Sequence, residues 1–177
     1  VFVDGADTPR MGSGETATSS QRPGSRVLEN ARLRVEIDSR TGNVRRMWDK
    51  SRGVSVLLPQ AGQLVLMADR PKLWDAWNID NLNGARTWVD GDVRVGPVTS
   101  TPLGASLTVH RERDSAEVDE RYVLPRYADR LDIHFTIRWH ESHELLKFVV
   151  PLAFHIDSTR AEIPYASIGR PTRAVTR

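Results

Sequence analysis

The chain has 177 residues, of which 39% are hydrophobic and 27% charged, the ordinary balance of one globular domain with a core of its own. The formal net charge is only +2, and arginines alternate with acidic residues, which argues against the basic patch or stripe of a nucleic-acid-binding protein. The absence of cysteine excludes disulfides, thiolate chemistry and sulfur-ligated zinc.

The first 26 residues differ in composition from the rest of the chain. They are rich in Gly, Pro, Ser and Thr and offer few large apolar groups to offset the entropy of ordering them. We therefore predict a linker or extended arm over residues 1–26, with Val1, Phe2 and Val3 able to pair with a sheet edge. A β-sandwich domain is predicted over residues 27–177.

Hydrophobic residues then recur with a period of two, which is typical of strands that bury one face. Leu33, Val35 and Ile37 alternate with charged residues, and residues 39–43, which include Gly42, form a predicted turn. Further strands are predicted over residues 44–48, 63–68, 87–98, 103–110 and 118–124.

Two adjacent segments give the clearest strand pattern. Residues 131–139 alternate apolar and polar side chains, and residues 145–154 are almost wholly apolar, which predicts a central strand covered on both faces. Glu141, Ser142 and His143 lie between them as a hairpin connection. Because no segment shows a sustained helical period, the sequence predicts an all-β, antiparallel β-sandwich.

The densest polar and aromatic cluster spans residues 69–81, with Trp74 and Trp77 among carboxylates, cations and asparagines. Aromatic rings stack on the C–H faces of sugars, and carboxylates and amides bond their hydroxyls, so this composition is typical of a carbohydrate-binding loop. The alternative, held equally open, is a surface loop that its tryptophans anchor to the core.

Two other clusters attract attention. His140 and His143 flank Glu141, but they stand three residues apart in a predicted turn, whereas the helical zinc motif needs histidines four apart, so we predict no metal site. No Gly-x-Ser-x-Gly nucleophile elbow occurs. Arg170, between Gly169 and Pro171, is either a rigidly placed guanidinium or an ordinary loop arginine.

Three regions, in this order, resemble the C-terminal β region of glycoside hydrolase family 38, the α-mannosidase family, over about residues 27–172. They are the first hairpin with Gly42 and Trp48-Asp49-Lys50; the run Asp69-Arg70-Pro71-Lys72 to Trp74-Asp75-Ala76-Trp77 with Ile79-Asp80; and Trp139-His140-Glu141, His143, Leu145-Leu146-Lys147 and Arg170-Pro171-Thr172.

The resemblance implies a zinc-dependent, retaining exo-α-mannosidase, in which a carboxylate forms a covalent glycosyl-enzyme. It implies that the nucleophile and the zinc ligands lie in an upstream α/β domain, so no catalytic residue, metal ligand or cofactor is assigned to this chain. It also implies a fold like the galactose mutarotase supersandwich, packed against that catalytic domain. Asp75, Trp77, Asp80 and Arg170 become candidates for substrate binding or for the domain interface, and a mannose-containing carbohydrate the expected partner.

Two residues depart from the family pattern, because Asn78 and Gly169 stand where family members usually carry acidic residues, which puts mannose specificity in doubt. The family region also continues past Arg177, so we predict a partial domain whose open edge favours a homo-oligomer. With neither a signal segment nor a membrane span in the sequence, we expect no membrane partner and a cytoplasmic location.

Two other functions stay open. One is a free-standing carbohydrate-binding module. The other, a mutarotase-like sugar epimerase, needs a histidine acid and a glutamate base on one concave face, for which His134 and Glu144 are the available pair.

Overall fold

A computed structural model describes residues 18–22, 24–74, 77–79, 86–87 and 91–172, and these residues form antiparallel strands. The strands are β1 (Thr18–Arg22), β2 (Ser25–Glu29), β3 (Leu33–Asp38), β4 (Val44–Asp49), β5 (Val54–Ser55), β6 (Gln63–Ala68), β7 (Arg86–Thr87), β8 (Asp92–Val95), β9 (Thr99–Thr101), β10 (Gly104–Arg113), β11 (Ala116–Pro125), β12 (Asp132–Arg138), β13 (Glu144–Val149), β14 (Ser158–Ile163) and β15 (Ala166–Pro171). Within these residues no helix is long and apolar enough to cross a membrane.

The strands make two larger sheets and two smaller units. The first sheet is a meander in the order β1-β2-β3-β4-β5, and the second has the order β12-β11-β10-β8, with β9 also paired to β10. A third sheet has the order β13-β6-β7, and β14 pairs with β15 as a hairpin.

The first and second sheets bury one face each against the other. Buried residues of β2, β3 and β4 form one apolar core with buried residues of β10 and β11. The contributors are Leu28, Leu33, Val35, Ile37, Val44, Ala61, Ala105, Leu107, Val109, Tyr122 and Leu124. This packing confirms the predicted antiparallel β-sandwich, because inward residues alternate with outward ones on β3, β10 and β11.

A second, smaller core joins the third sheet to the end of β11. Leu64 and Leu66 of β6 pack with Ala116 and Val118 of β11. Trp139, Leu146 and Phe148 pack against this cluster from β13 and the segment before it. The ring of Phe148 meets Phe135 of β12 edge to face, with 5.0 Å between centroids.

The predicted turn after β3 is confirmed, and Gly42 is the residue that closes it. Its φ is +70°, and a Cβ atom there would lie 2.5 Å from Val109 Cγ1. The Asp38 side chain accepts hydrogen bonds from the amides of Arg40 and Thr41, at 2.9 Å each, and so fixes the turn from within.

The side chain of Asn30 connects the two sheets of the sandwich through hydrogen bonds. Its side-chain nitrogen donates to the carbonyls of Pro125 and Ala128, at 2.7 and 2.9 Å, across more than ninety residues of sequence. Its side-chain oxygen accepts from the amides of Arg32 and Leu33, both at 2.8 Å. The amide of this buried side chain therefore has all its hydrogen bonds inside the protein.

The predicted hairpin of residues 131–139 and 145–154 is wrong. β12 pairs with β11 of the second sheet, whereas β13 pairs with β6 of the third. The connection changes sheets at His143, whose φ is +58°. Phe148 of β13 packs against the second core and contacts Phe135 of β12, so the two strands still meet through their side chains.

The prediction that 145–154 is a central strand covered on both faces is also wrong. β13 stands at the outer position of the order β13-β6-β7 in the described sheet. Its residues from Leu145 to Phe148 are only half buried, and Val149 and Val150 are exposed. Residues 151–153 then run beside 56–58, next to the first sheet, through Leu58 N to Pro151 O at 3.0 Å and Ala153 N to Val56 O at 3.1 Å.

The predicted arm of residues 1–26 stays a prediction, and so does its boundary with a domain at 27. Val1, Phe2 and Val3 lie outside the described residues. Within the same stretch, Thr18–Arg22 forms β1 and pairs antiparallel with β2, from Thr18 opposite Glu29 to Arg22 opposite Ser25.

Candidate functional site

The two tryptophans of the 69–81 cluster lie on the surface, and so the alternative in which they anchor the loop to the core is wrong. Trp74 is 71% exposed and Trp77 is 87% exposed. Trp74 has a φ of +63°, and its carbonyl accepts from the amides of Trp77 and Asn78, at 2.7 and 3.0 Å. The backbone thus makes a tight turn that leaves both indole rings outward.

Of the four candidate site residues, Asp75 and Asp80 lie outside the described residues. Trp77 stands in the exposed turn. Arg170 is exposed on β15, where its carbonyl faces Thr159 Oγ1 at 3.5 Å within the same hairpin. Their gathering on one surface stays a prediction.

The hairpin that carries Arg170 has two chemically different faces. Residues opposite each other in an antiparallel pair project to the same side, so the pairs Ile163 with Ala166, Ala161 with Ile168 and Thr159 with Arg170 share one face. The other face carries the polar and charged residues Ser158, Arg160, Glu162 and Ser167, together with Gly169 and Pro171. Arg170 therefore lies at one end of the apolar face of this hairpin.

Gly169 lies on the polar face, where a Cβ atom would have nothing within 4 Å. The acidic side chain that family members usually carry at this position would therefore have room here. Steric need does not explain the glycine.

The start of the tryptophan loop contacts the second predicted cluster. The amide of Asp69 donates to the carbonyl of His143 at 2.7 Å. Glu141 Oε1 accepts from the amide and hydroxyl of Ser115, at 3.2 and 2.8 Å, and so joins this turn to the one between β10 and β11. Glu141 therefore has a structural role through its hydrogen bonds with Ser115. The prediction that this cluster holds no metal stays a prediction.

Sequence reasoning missed a buried polar network between the two cores. Arg111 of β10 is 2% exposed and Glu120 of β11 is fully buried. Arg111 Nε donates to Glu120 Oε1 at 2.8 Å, and the Tyr122 hydroxyl donates to Glu120 Oε2 at 2.7 Å. Arg111 also donates to the Thr41 carbonyl at 2.8 Å and to Asn43 Oδ1 at 3.2 Å, so it holds the turn of Gly42 against the second sheet.

Burial governs the ionisation of this network. Burial raises the pKa of Glu120, and the nearby guanidinium of Arg111 and the Tyr122 hydroxyl offset only part of this effect. The pKa of Tyr122 is also raised, first by burial and then by the adjacent Glu120 carboxylate. The sequence does carry a signal for this network, because each strand has a charged residue at an inward position. Arg111 continues the inward series of Leu107 and Val109 on β10, and Glu120 follows Val118 on β11.

A cleft of about 660 Å³ opens above this network, a size common for small-ligand sites. It is lined by Asp38, Arg40, Thr41, Asn43, Arg45, Pro59, Gln60, Gln63, Leu64, Gly91, Val93 and Arg111. Asp38 Oδ2 lies 4.0 Å from Arg45 Nε. Burial raises the pKa of Asp38, but its hydrogen bonds from Thr41 and Arg40, with Arg45 nearby, outweigh burial and keep that pKa below its ordinary value.

Comparison with known proteins gives the class first. Residues 28–177 match the family described as "Glycosyl hydrolases family 38 C-terminal domain", and the chain belongs to this family. It is also similar to Alpha-mannosidase 2C1 of Homo sapiens, and to that of Mus musculus, at 27% identity over 154 residues in each case. These matches cover 84% of the chain and 15% of each relative.

The family match confirms the resemblance drawn from the three sequence regions, and the chain is similar to a part of its α-mannosidase relatives. Its likeness to the mutarotase supersandwich stays a prediction. His134 and Glu144, the pair that an epimerase would need, lie on β12 of the second sheet and on β13 of the third.

Proposed function

We propose that this chain is the non-catalytic C-terminal β-sandwich of an α-mannosidase-like hydrolase of mannose-containing glycans, and that it packs on and supports a catalytic domain. The observation that carries the proposal is an exposed set of apolar residues in the last third of the described chain. The set comprises Phe135, Ile137, Val149, Val150, Leu152, Phe154, Ile163, Tyr165 and Ile168, called here the C-terminal apolar residues.

Exposed apolar residues in such number favour a protein contact. The inward faces of β3, β10 and β11 are fully covered, whereas β12, β13 and the β14–β15 hairpin expose much of their apolar side. A two-stranded hairpin is at best marginally stable alone in water, so one with an apolar face is suited to docking. The chain spans only 15% of the length of its relatives. We therefore infer that the partner covering these residues is the remainder of a longer polypeptide.

The proposal assigns the chemistry to that remainder. Zinc and the carboxylate that forms the glycosyl-enzyme belong, in this proposal, to the catalytic domain. The first test is hydrolysis of an aryl α-mannoside by the purified chain and by the parent protein. We expect turnover only by the parent, with loss on chelation. Chelator-sensitive turnover by the pure chain would overturn the proposal.

The second test concerns packing, and uses neighbouring residues on opposite faces of β15. Ile168→Asp places a charge on the apolar face of the hairpin, whereas Ser167→Asp places the same charge on the polar face. In the parent protein we expect Ile168→Asp to lower the melting temperature of the catalytic domain and Ser167→Asp to leave it unchanged. Equal effects of the two substitutions would contradict docking through this face.

In the isolated chain the C-terminal apolar residues have no catalytic domain to cover them, so we propose that two or more copies associate through them. Light scattering should give a mass above the 19.9 kDa of one chain, decreasing on dilution. Ile168→Asp should shift the mass toward the monomer. A monomer at high concentration would count against self-association.

A carbohydrate-binding module is the second candidate, and the outward indole rings of Trp74 and Trp77 favour it. If this loop binds glycans, Trp77→Ala should abolish retention of the chain on immobilised mannan. A variant at exposed Tyr127 should be retained as before.

A further inference from the structure

The cleft above Arg111 is lined by none of the four candidate site residues Asp75, Trp77, Asp80 and Arg170. At its base, Arg111 is held by hydrogen bonds to Glu120 and to the Thr41 carbonyl. Arg111 can only donate hydrogen bonds, so its contact with Asn43 fixes which end of that side-chain amide is the oxygen. The nitrogen, Asn43 Nδ2, has no hydrogen-bond partner among the described residues, although Asn43 is a buried residue of the cleft wall. This residue of the cleft wall therefore holds an unused hydrogen-bond donor in a fixed orientation.

An acceptor stands beside this donor. The amide of Asp38 donates to the carbonyl of Asn43 at 2.9 Å, so the two residues are paired across the base of the turn. Asp38 Oδ1 is used by the amides of Arg40 and Thr41, and the Thr41 side chain also bonds this carboxylate, whose Oδ2 lies 4.0 Å from Arg45 Nε. The guanidinium of Arg45, more than half exposed, adds donors at the rim.

This arrangement discriminates between classes of ligand. A hydroxyl group donates and accepts at once, so adjacent hydroxyls match a carboxylate next to an amide N–H and a guanidinium. A simple anion can only accept, and it would meet the Asp38 carboxylate. Leu64, Val93 and Pro59 supply apolar wall that C–H faces can cover.

We propose that this cleft is a binding site for a polyhydroxylated ligand, a sugar unit of a glycan, on the face formed by the turn after β3 and the strands β6 and β8. The site is independent of the tryptophan loop and of the C-terminal apolar residues. Only the choice of mannose as the first probe rests on the proposed function.

The test is an NMR titration of the whole chain with methyl α-mannoside, up to about 50 mM so that a millimolar site saturates. The signals to follow are the Asn43 side-chain NH₂ and the amides of Gln63, Gly91 and Val93. We expect saturable shifts of these signals. Methyl α-glucoside is the second probe: shifts with it alone would support the cleft while counting against mannose as the substrate of the proposed function.

Two variants locate the binding. Asn43→Asp keeps an oxygen for Arg111 but replaces the donor toward the cleft by an acceptor, and should weaken binding at least about fivefold. Asn78→Asp makes the same change in the tryptophan loop, so comparing the two variants separates binding in the cleft from binding in that loop. Should Asn43→Asp fail to fold by circular dichroism, Arg45→Gln at the exposed rim should weaken binding about twofold or more.

Three results would overturn the inference. These are no shift of the cleft signals with either sugar, a loss of affinity with Asn78→Asp but not with Asn43→Asp, and shifts produced by inorganic phosphate while both sugars have no effect.

Discussion

Arg111 shows what a charged residue at an inward strand position requires. Its guanidinium is removed from water and is compensated by Glu120, the Thr41 carbonyl and Asn43 Oδ1. Breaking one partner of such a pair costs far more than the pair contributes, because the remaining charge stays buried. The network therefore fixes the arrangement of the turn on the second sheet more than it adds net stability.

Substituting Glu120 should expose this cost. We expect Glu120→Gln to lower the free energy of unfolding by about 3 kcal/mol, because Arg111 keeps its charge without a counter-ion. Tyr122→Phe removes one hydrogen bond and should cost about 1 kcal/mol. Urea denaturation followed by tryptophan fluorescence measures both.

The control is Glu117→Gln on the same strand, whose partner Arg138 is mostly exposed, and which should change stability by less than about 0.5 kcal/mol. If Glu120→Gln and Glu117→Gln cost the same, the buried network does not constrain the fold.

The lowered pKa of Glu29 makes the stability of the folded chain depend on pH in a defined direction. Its burial raises its pKa, but Lys50 at 2.7 Å and Arg34 at 2.6 Å outweigh burial, so the pKa lies below the ordinary 4.5. A carboxyl with a lowered pKa in the folded state contributes stability above its unfolded pKa, and this contribution is lost as the pH falls through the folded pKa.

We therefore expect Lys50→Met to flatten the fall in stability that acid produces below about pH 4.5. Urea midpoints measured at a series of pH values give the two slopes. Arg32→Met, at an exposed arginine, should keep the slope of the unmodified chain. An unchanged slope in Lys50→Met would show that Lys50 does not hold Glu29 ionised.

At the scale of elements, the sequence predicted strands well where a strand buries one face. Alternation identified β3, β10 and β11 because Leu33, Leu107 and Val118 each stand on a fully covered face. It also located β12 and β13, but their predicted pairing was wrong, because the pattern within a strand does not identify the neighbour with which it pairs. The choice of β11 and β6 as partners depends on a second core that forms only in three dimensions.

The candidate site was predictable only in part, for the same reason. The sequence drew attention to Trp77 and Arg170, which stand on exposed elements as a binding role requires. The cleft depends on Asn43, Gln63 and Arg111, which lie far apart in the sequence and meet only after the sheets pack. Without the strand register, nothing in the residue pattern associates them.

The turn between β3 and β4 gives a prediction at this scale. Gly42→Ala combines an unfavourable positive φ with a Cβ atom 2.5 Å from Val109 Cγ1, so we expect a loss of at least about 2 kcal/mol. Gly53 has a similar φ of +66° but nothing within 4 Å of a Cβ, so Gly53→Ala should cost only about 1 kcal/mol. Chemical denaturation compares the two, and equal losses would mean that packing at Gly42 does not matter.

Across the whole molecule, local and distant contacts are unevenly distributed. The first sheet is a sequential meander, and β10, β11 and β12 form another. Each joins neighbours in the chain, and the two are brought together by the shared apolar core and by Asn30. The C-terminal apolar residues begin on β12, the last strand of the second meander, and continue to β15.

The four hydrogen bonds of Asn30 have a consequence for the order of events in folding. Two of them close a loop of more than ninety residues, so we expect them to form only after both meanders have docked, on the native side of the rate-limiting barrier. Asn30→Ala should therefore speed unfolding about 30-fold, as a loss of about 2 kcal/mol implies, and leave the refolding rate nearly unchanged. Stopped-flow measurements of both limbs would show this, and a refolding limb that slows in proportion would place the docking of the two meanders before the barrier.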